Sequence, residues 1–66
     1  MKLKKGMIVM FLDTKRNDKR GIIGKQGIVM MIDKELENPI VIKYMAKGKA
    51  QIDTFRLKHI EIVSEL

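Results

Sequence analysis

Nowhere does this 66-residue chain combine about ten residues of 3.6-residue apolar periodicity with freedom from glycine and proline. Its apolar residues come in short, β-branched clusters instead, the longest being Met7-Ile8-Val9-Met10-Phe11-Leu12. A long amphipathic helix is thereby excluded, and a fold built of short strands remains. A run of six is also too short to span a bilayer or to form the core of a secretory signal, so the chain reads as cytoplasmic, with no membrane partner.

The clusters and the residues between them predict five strands. Met7 to Leu12 is the first. Asp13 to Gly24 holds six charged side chains, Asn17 and two glycines, with only Ile22 and Ile23 apolar, and reads as a long exposed loop folding partly back as an irregular hairpin. Gln26 to Ile32 is the second strand, and the polar connection Asp33 to Asn38 leads to Pro39, which suits a strand's first residue because no ladder donor is needed there. Pro39 to Met45 and Ala50 to Phe55 are strands three and four, joined by a tight turn at Lys47-Gly48-Lys49 whose glycine takes a positive φ. Arg56 to His59 has room for one turn of 3-10 helix before the alternating fifth strand, Ile60 to Val63.

A chain of this length buries only about 60% of the surface its unfolded form exposes, so it holds one domain. Residues 1–5 form a basic leader, 6–63 the folded unit and 64–66 a tail. With 45% hydrophobic and 33% charged residues the chain lies outside the disordered class, and without cysteine it has neither disulfides nor thiolate zinc to lean on. Five short strands with a long first loop and a turn before the last describe a small all-β barrel.

At the residue level this pattern is similar to SH3-like barrels, and to KOW domains among them. Lys5-Gly6-Met7-Ile8-Val9-Met10-Phe11 resembles the first-strand pattern of that group, and Gly24-Lys25-Gln26-Gly27-Ile28-Val29 resembles the Gly-Lys-x-Gly-x-Val end of a KOW motif. The likeness covers about half the chain in sequence and all of it in element order. Met7 stands where KOW motifs usually carry an acid, and the loop from Asp13 to Arg20 is longer than theirs. The resemblance implies contact with RNA or DNA through the loops of a barrel.

Charge agrees with that implication. Residues 1–25 hold eight of the fourteen Lys/Arg but only Asp13 and Asp18 of the eight acids, so they carry the whole net +6; from Gln26 onward six cations meet six acids. Lys15, Arg16, Lys19, Arg20 and Lys25, with Lys5 and the other leader lysines Lys2 and Lys4, are the candidate phosphate contacts. Cations gathered on one edge neutralise phosphates and release counterions, which gives affinity without sequence preference. The alternative is a solvated loop that serves solubility alone. Base-stacking platforms and methyl-lysine cages need several exposed aromatics. Here there are only Phe11 and Phe55, which read as core, and Tyr44, which either stacks on a base or packs against a neighbour.

A second candidate surface comes from strands apolar on both faces. Met7, Val9 and Phe11 oppose Ile8, Met10 and Leu12; Ile28, Met30 and Ile32 oppose Val29 and Met31. Whichever set fills the core, the other is left for a homo-oligomer or a different protein, and Ile8, Met10, Leu12, Met30 and Met31 are the candidate interface, methionine suiting irregular partners. The alternative is that strong coiling buries both sets within one copy.

Catalysis and metal binding find little material. One histidine, His59, reads as a turn residue. Asp33, Glu35 and Glu37 lack the glycine and the distant bidentate glutamate of a calcium loop. With no cysteine and one serine, Ser64, the chain reads as a non-enzyme that uses no cofactor, metal or small-molecule substrate. Gly48-Lys49-Ala50-Gln51-Ile52-Asp53 and Leu57-Lys58-His59-Ile60-Glu61 are nevertheless similar to the strand four and five region of type II dihydrofolate reductases, which are tetrameric SH3-like barrels. There a Gln-Ile-Tyr tripeptide lines a shared pore. Gln51 and Ile52 match it, but Asp53 replaces the tyrosine and would repel folate and nucleotide phosphates, so the likeness is one of architecture.

Overall fold

The computed structural model describes residues 3–64, which leaves Met1 and Lys2 of the leader and Glu65 and Leu66 of the tail outside the described residues. The chain is mostly β. Its elements are β1 (Ile8–Phe11), α1 (Lys15–Arg20), β2 (Gln26–Ile32), β3 (Ile40–Ala46), β4 (Lys49–Phe55), a 3-10 turn (Leu57–His59) and β5 (Ile60–Ser64). The five strands form one sheet in the order β4-β3-β2-β1-β5, and each neighbouring pair is antiparallel.

Alternation along the strands chooses the core. Met7, Val9 and Phe11 are buried, while Ile8, Met10 and Leu12 are half-buried. Across the sheet, Val29, Ile40, Ile42, Tyr44, Phe55 and Ile60 complete the apolar interior, and Ile22 joins it from the β1–β2 connection. Phe11 is the hub: its ring centroid lies 5.1 Å from that of Tyr44 in an edge-on pair and 4.9 Å from that of Phe55. Such ring pairs contribute about 0.5–1.5 kcal/mol beyond the area they bury. Tyr44 therefore packs against neighbours, which settles the choice left open by sequence.

Gly27 makes this packing possible. A Cβ there would sit 2.6 Å from Ile42 Cγ2, 3.0 Å from the Lys43 carbonyl oxygen and 3.2 Å from Phe11 Cζ. The β3–β4 hairpin closes with only two residues, Lys47 (φ 54°) and Gly48 (φ 75°), both in the left-handed region that suits the twist of a two-residue hairpin. β4 accordingly starts one residue earlier than expected, at Lys49, and Pro39 stands just before β3.

The segment after β1 is not an exposed irregular hairpin. Thr14, extended at φ −126° and ψ 157°, accepts a 3.2 Å hydrogen bond from the Asn17 amide, and Gly21 ends the helix at φ 68° and ψ 32°. Between these caps Lys15-Arg16-Asn17-Asp18-Lys19-Arg20 forms α1. Six residues are too few to hold a helix in water unaided, so tertiary contacts must hold it.

Candidate nucleic-acid interface

Strand direction decides which cations meet. The end of β1, the start of β2, the end of β3 and the start of β4 lie at one end of the sheet, because Met10 pairs with Gln26, Gly27 with Tyr44 and Ala46 with Lys49. The β1–β2 connection carrying α1 and Lys25 therefore shares that end with the hairpin tip Lys47-Gly48-Lys49. The 3-10 turn adjoins α1 as well, since Arg16 Nη1 lies 3.4 Å from His59 Nδ1.

Lys15, Lys19 and Lys25 are exposed there, as are Lys47 and Lys49; Lys58 is exposed on the 3-10 turn, whose first residue Leu57 borders Ile32, Lys34 and Pro39 toward the other end. The acids at the α1 end are Asp13, Asp18, Asp53 and Glu61, the last opposite Met10. Lys5 is exposed but lies elsewhere: Gly6 donates to the Val29 carbonyl midway along β2, and Leu3 borders a groove with Ile32 and Lys34, so the leader runs toward the other end of the sheet. Sequence reasoning missed Lys47 and Lys49. Lys47 and Lys49 were legible in principle, since a strand, a two-residue turn and a returning strand bring the tip back to the level of Lys25.

Arg16 and Arg20 are engaged within the molecule. Arg20 Nε donates to Asp53 Oδ2 at 2.6 Å, and Arg16 Nη2 lies 3.7 Å from Asp53 Oδ1. The Arg16 guanidinium also sits 4.8 Å above the Phe55 ring, a cation–π contact. Partial burial, the largest single influence on Asp53, raises its pKa. The Thr54 amide, the Arg20 hydrogen bond and the two guanidinium charges together outweigh burial and hold the carboxyl below its ordinary range. The acid at the third position of the pore-like tripeptide is thus the anchor of α1.

His59 is buried inside the 3-10 turn and faces the edge of Phe55. Its Nδ1 accepts from the Arg56 amide at 3.0 Å and faces Arg16, so the ring is neutral with its proton on Nε2. Burial, then the charges of Arg16, Lys58, Arg56 and Arg20, pushes its pKa below the ordinary 6.5. On the acidic connection, Asp33 Oδ1 accepts from the Glu35 amide, and Glu37 meets Arg56 Nη2 at 3.1 Å. Among the described residues no helix is long and apolar enough to cross a membrane.

The candidate apolar interface is divided. Ile8 and Met10 lie on the face of the sheet turned away from the aromatic core, where register sets Ile8 beside Ile28. Leu12 lies past the end of β1, its amide bonded to the His59 carbonyl. Met30 and Met31 straddle an irregularity in the β2–β3 ladder, Val29 pairing with Ile42 and Met31 with Val41, and this exposes both methionines instead of one. Met45 and Ile52, both more than half exposed, share the outer face. Alternation along β3 and β4 away from Tyr44 and Phe55 was the signal for them.

Compared with known protein families, curated proteins and solved structures, the chain matches none.

Proposed function

We propose that the chain is an SH3-like barrel that binds nucleic-acid phosphates through the basic end of its sheet, with little sequence preference. Closure of the sheet is supported by three features: the interruptions at Ile8/Val9 and Val29/Met31 that re-aim strands, the short 3-10 turn between β4 and β5, and the convergence of Phe11, Tyr44 and Phe55 on one interior. The binding reading is carried by one observation: exposed lysines from two separate connections, Lys15, Lys19 and Lys25 on one and Lys47 and Lys49 on the other, lie at the same end of the sheet. With the aromatic rings inside, base stacking is not offered, and backbone contact is the mode that fits.

The test is fluorescence anisotropy with labelled duplex DNA, single-stranded DNA and RNA at about 50 and 200 mM salt, a span over which six to ten phosphate contacts cost roughly 10³–10⁵ in affinity. Lys15→Ala, Lys19→Ala and Lys25→Ala combined should weaken binding to every sequence alike and flatten the salt dependence. Affinity unaffected by both salt and these substitutions sinks the reading. Arg16 and Arg20 are left intact, because changing them disturbs the seating of α1.

A further inference from the structure

The outer face of the sheet carries a strip that the phosphate reading does not use. Ile8 pairs with Ile28, Ile28 with Lys43 and Lys43 with Ile52, so these four side chains stand in one row across four strands. At about 4.8 Å between strands the row is roughly 14 Å long. Met45 stands two residues along β3 from Lys43, and a shallow groove of about 380 Å³ runs over Ile8, Gln26, Ile28, Lys43 and Met45. Single exposed apolar residues are ordinary on a protein surface, whereas a contiguous strip marks an interaction site.

The charges on the strip discriminate between occupants. Lys43 is its one charged side chain and stands between Ile28 and Ile52. A second copy laid face to face would bring this lysine toward its own counterpart, in a pair of molecules carrying +6 each. Nucleic acid would meet an aliphatic surface without an aromatic ring, since Phe11, Tyr44 and Phe55 all face inward. A partner segment with apolar side chains and a carboxylate satisfies both the strip and Lys43. Lys25 and Lys47, just beyond Gln26 and Ala46, extend the positive charge past one end of the groove, and Glu61, in the same cross-strand row as Met10 and Gln26, borders that end on its β5 flank, two strands from Lys25.

We propose that the outer face docks an acidic, apolar segment of a partner protein, with one partner carboxylate on Lys43 and its acidic end toward Lys25 and Lys47. This proposal stands apart from the phosphate reading, since face and basic end use different residues apart from that shared rim.

The experiment is selection of displayed random 12-residue peptides on the immobilised protein, followed by titration of the enriched peptides by NMR. Enriched peptides should combine Leu, Ile or Phe with Asp or Glu, and should shift the amides of Ile8, Ile28, Lys43 and Ile52. Lys43→Glu should weaken them at least tenfold. Ile28→Ser, at an exposed position where melting temperature verifies the fold, should do the same while leaving duplex DNA binding unchanged. Three outcomes overturn the proposal: no enrichment, enriched peptides that are basic or indifferent to Lys43→Glu, or a stable dimer in sedimentation that Ile28→Ser dissociates. The last would assign the face to a second copy.

Discussion

The Asn17 side-chain amide donates a 2.8 Å hydrogen bond to the backbone carbonyl of His59, joining the helix after β1 to the turn before β5 across 42 residues of chain. The same nitrogen donates to the Leu12 carbonyl at 2.9 Å. One fully buried polar residue in a run of charges thus gives a second donor to two carbonyls that already accept from the Thr14 and Leu12 amides, tying three segments together.

Asn17→Ala should therefore destabilise the fold by about 1–3 kcal/mol, the loss of two buried hydrogen bonds at about 0.5–1.5 kcal/mol each, although both carbonyls keep a backbone donor. Asn17→Asp should cost more, because a carboxylate offers neither carbonyl a proton. Urea unfolding midpoints check both, and an Asn17→Asp as stable as the parent would mean that α1 is not held this way.

Gly27→Ala should cost about 1–3 kcal/mol, since its methyl meets Ile42, the Lys43 carbonyl and Phe11 where three strands pack closest. Gly24→Ala is the contrast. At φ 80° with open space around it, it incurs only the left-handed backbone penalty of about 1–2 kcal/mol. In near-ultraviolet circular dichroism, Gly27→Ala should perturb the signal of the packed rings and Gly24→Ala should leave it unchanged.

Stability should fall with acid in two stages. His59 has its folded pKa pushed below the ordinary 6.5, so the unfolded chain takes up a proton before the folded one does. Its contribution is complete above 6.5, declines as pH drops below that value, and is gone once the pH passes the folded pKa. The Asp53 carboxyl is likewise held below its ordinary 3.8, so its contribution is present above 3.8 and lost as pH falls through the folded value. Urea midpoints between about pH 7.5 and 5 should decline, and His59→Gln should flatten that part of the curve. An unchanged slope in His59→Gln would contradict the assignment.

Asp53→Asn should separate the structural from the binding use of the arginines. Its carboxylate side chain is 29% exposed, so the two ion pairs together contribute only about 1 kcal/mol. Their loss releases Arg20 Nε and Arg16 Nη2 from the carboxylate, leaves the Arg16 contact with Phe55 in place, and raises the net charge by one. Binding to duplex DNA should tighten, and the slope of log affinity against log salt should steepen by about 0.9 for each phosphate newly contacted. No change in slope would leave phosphate contact to the lysines alone.

The strands were legible because each is a local pattern. Alternation marks β5, the two-residue hairpin announces itself at Lys47-Gly48, and too few residues separate Phe55 from Ile60 for anything longer than a 3-10 turn. α1 was not legible, because its apolar period is absent. It is held by Thr14, Gly21, Asn17 and Asp53, and the Arg20–Asp53 pair joins residues 33 apart. For the same reason Arg16 and Arg20 read as free cations. The irregularity after Val29 was hidden too, since Ile28-Val29-Met30-Met31-Ile32 is apolar throughout and gives no sign of where its phase changes.

β1 lies between β2 and β5, and its pairing with β5 joins residues far apart in sequence. A ribosome must therefore deliver residues 60–64 before Ile8–Phe11 has a neighbour on both sides, so this fold is completed only once its fifth strand has emerged, and by slow, long-range contacts. A polypeptide cut short before Ile60 would display a bare, apolar strand edge, the feature that recruits chaperones, proteases or other nascent chains. Interrupted translation thus leaves uncovered an apolar strand that the completed sheet pairs on both sides.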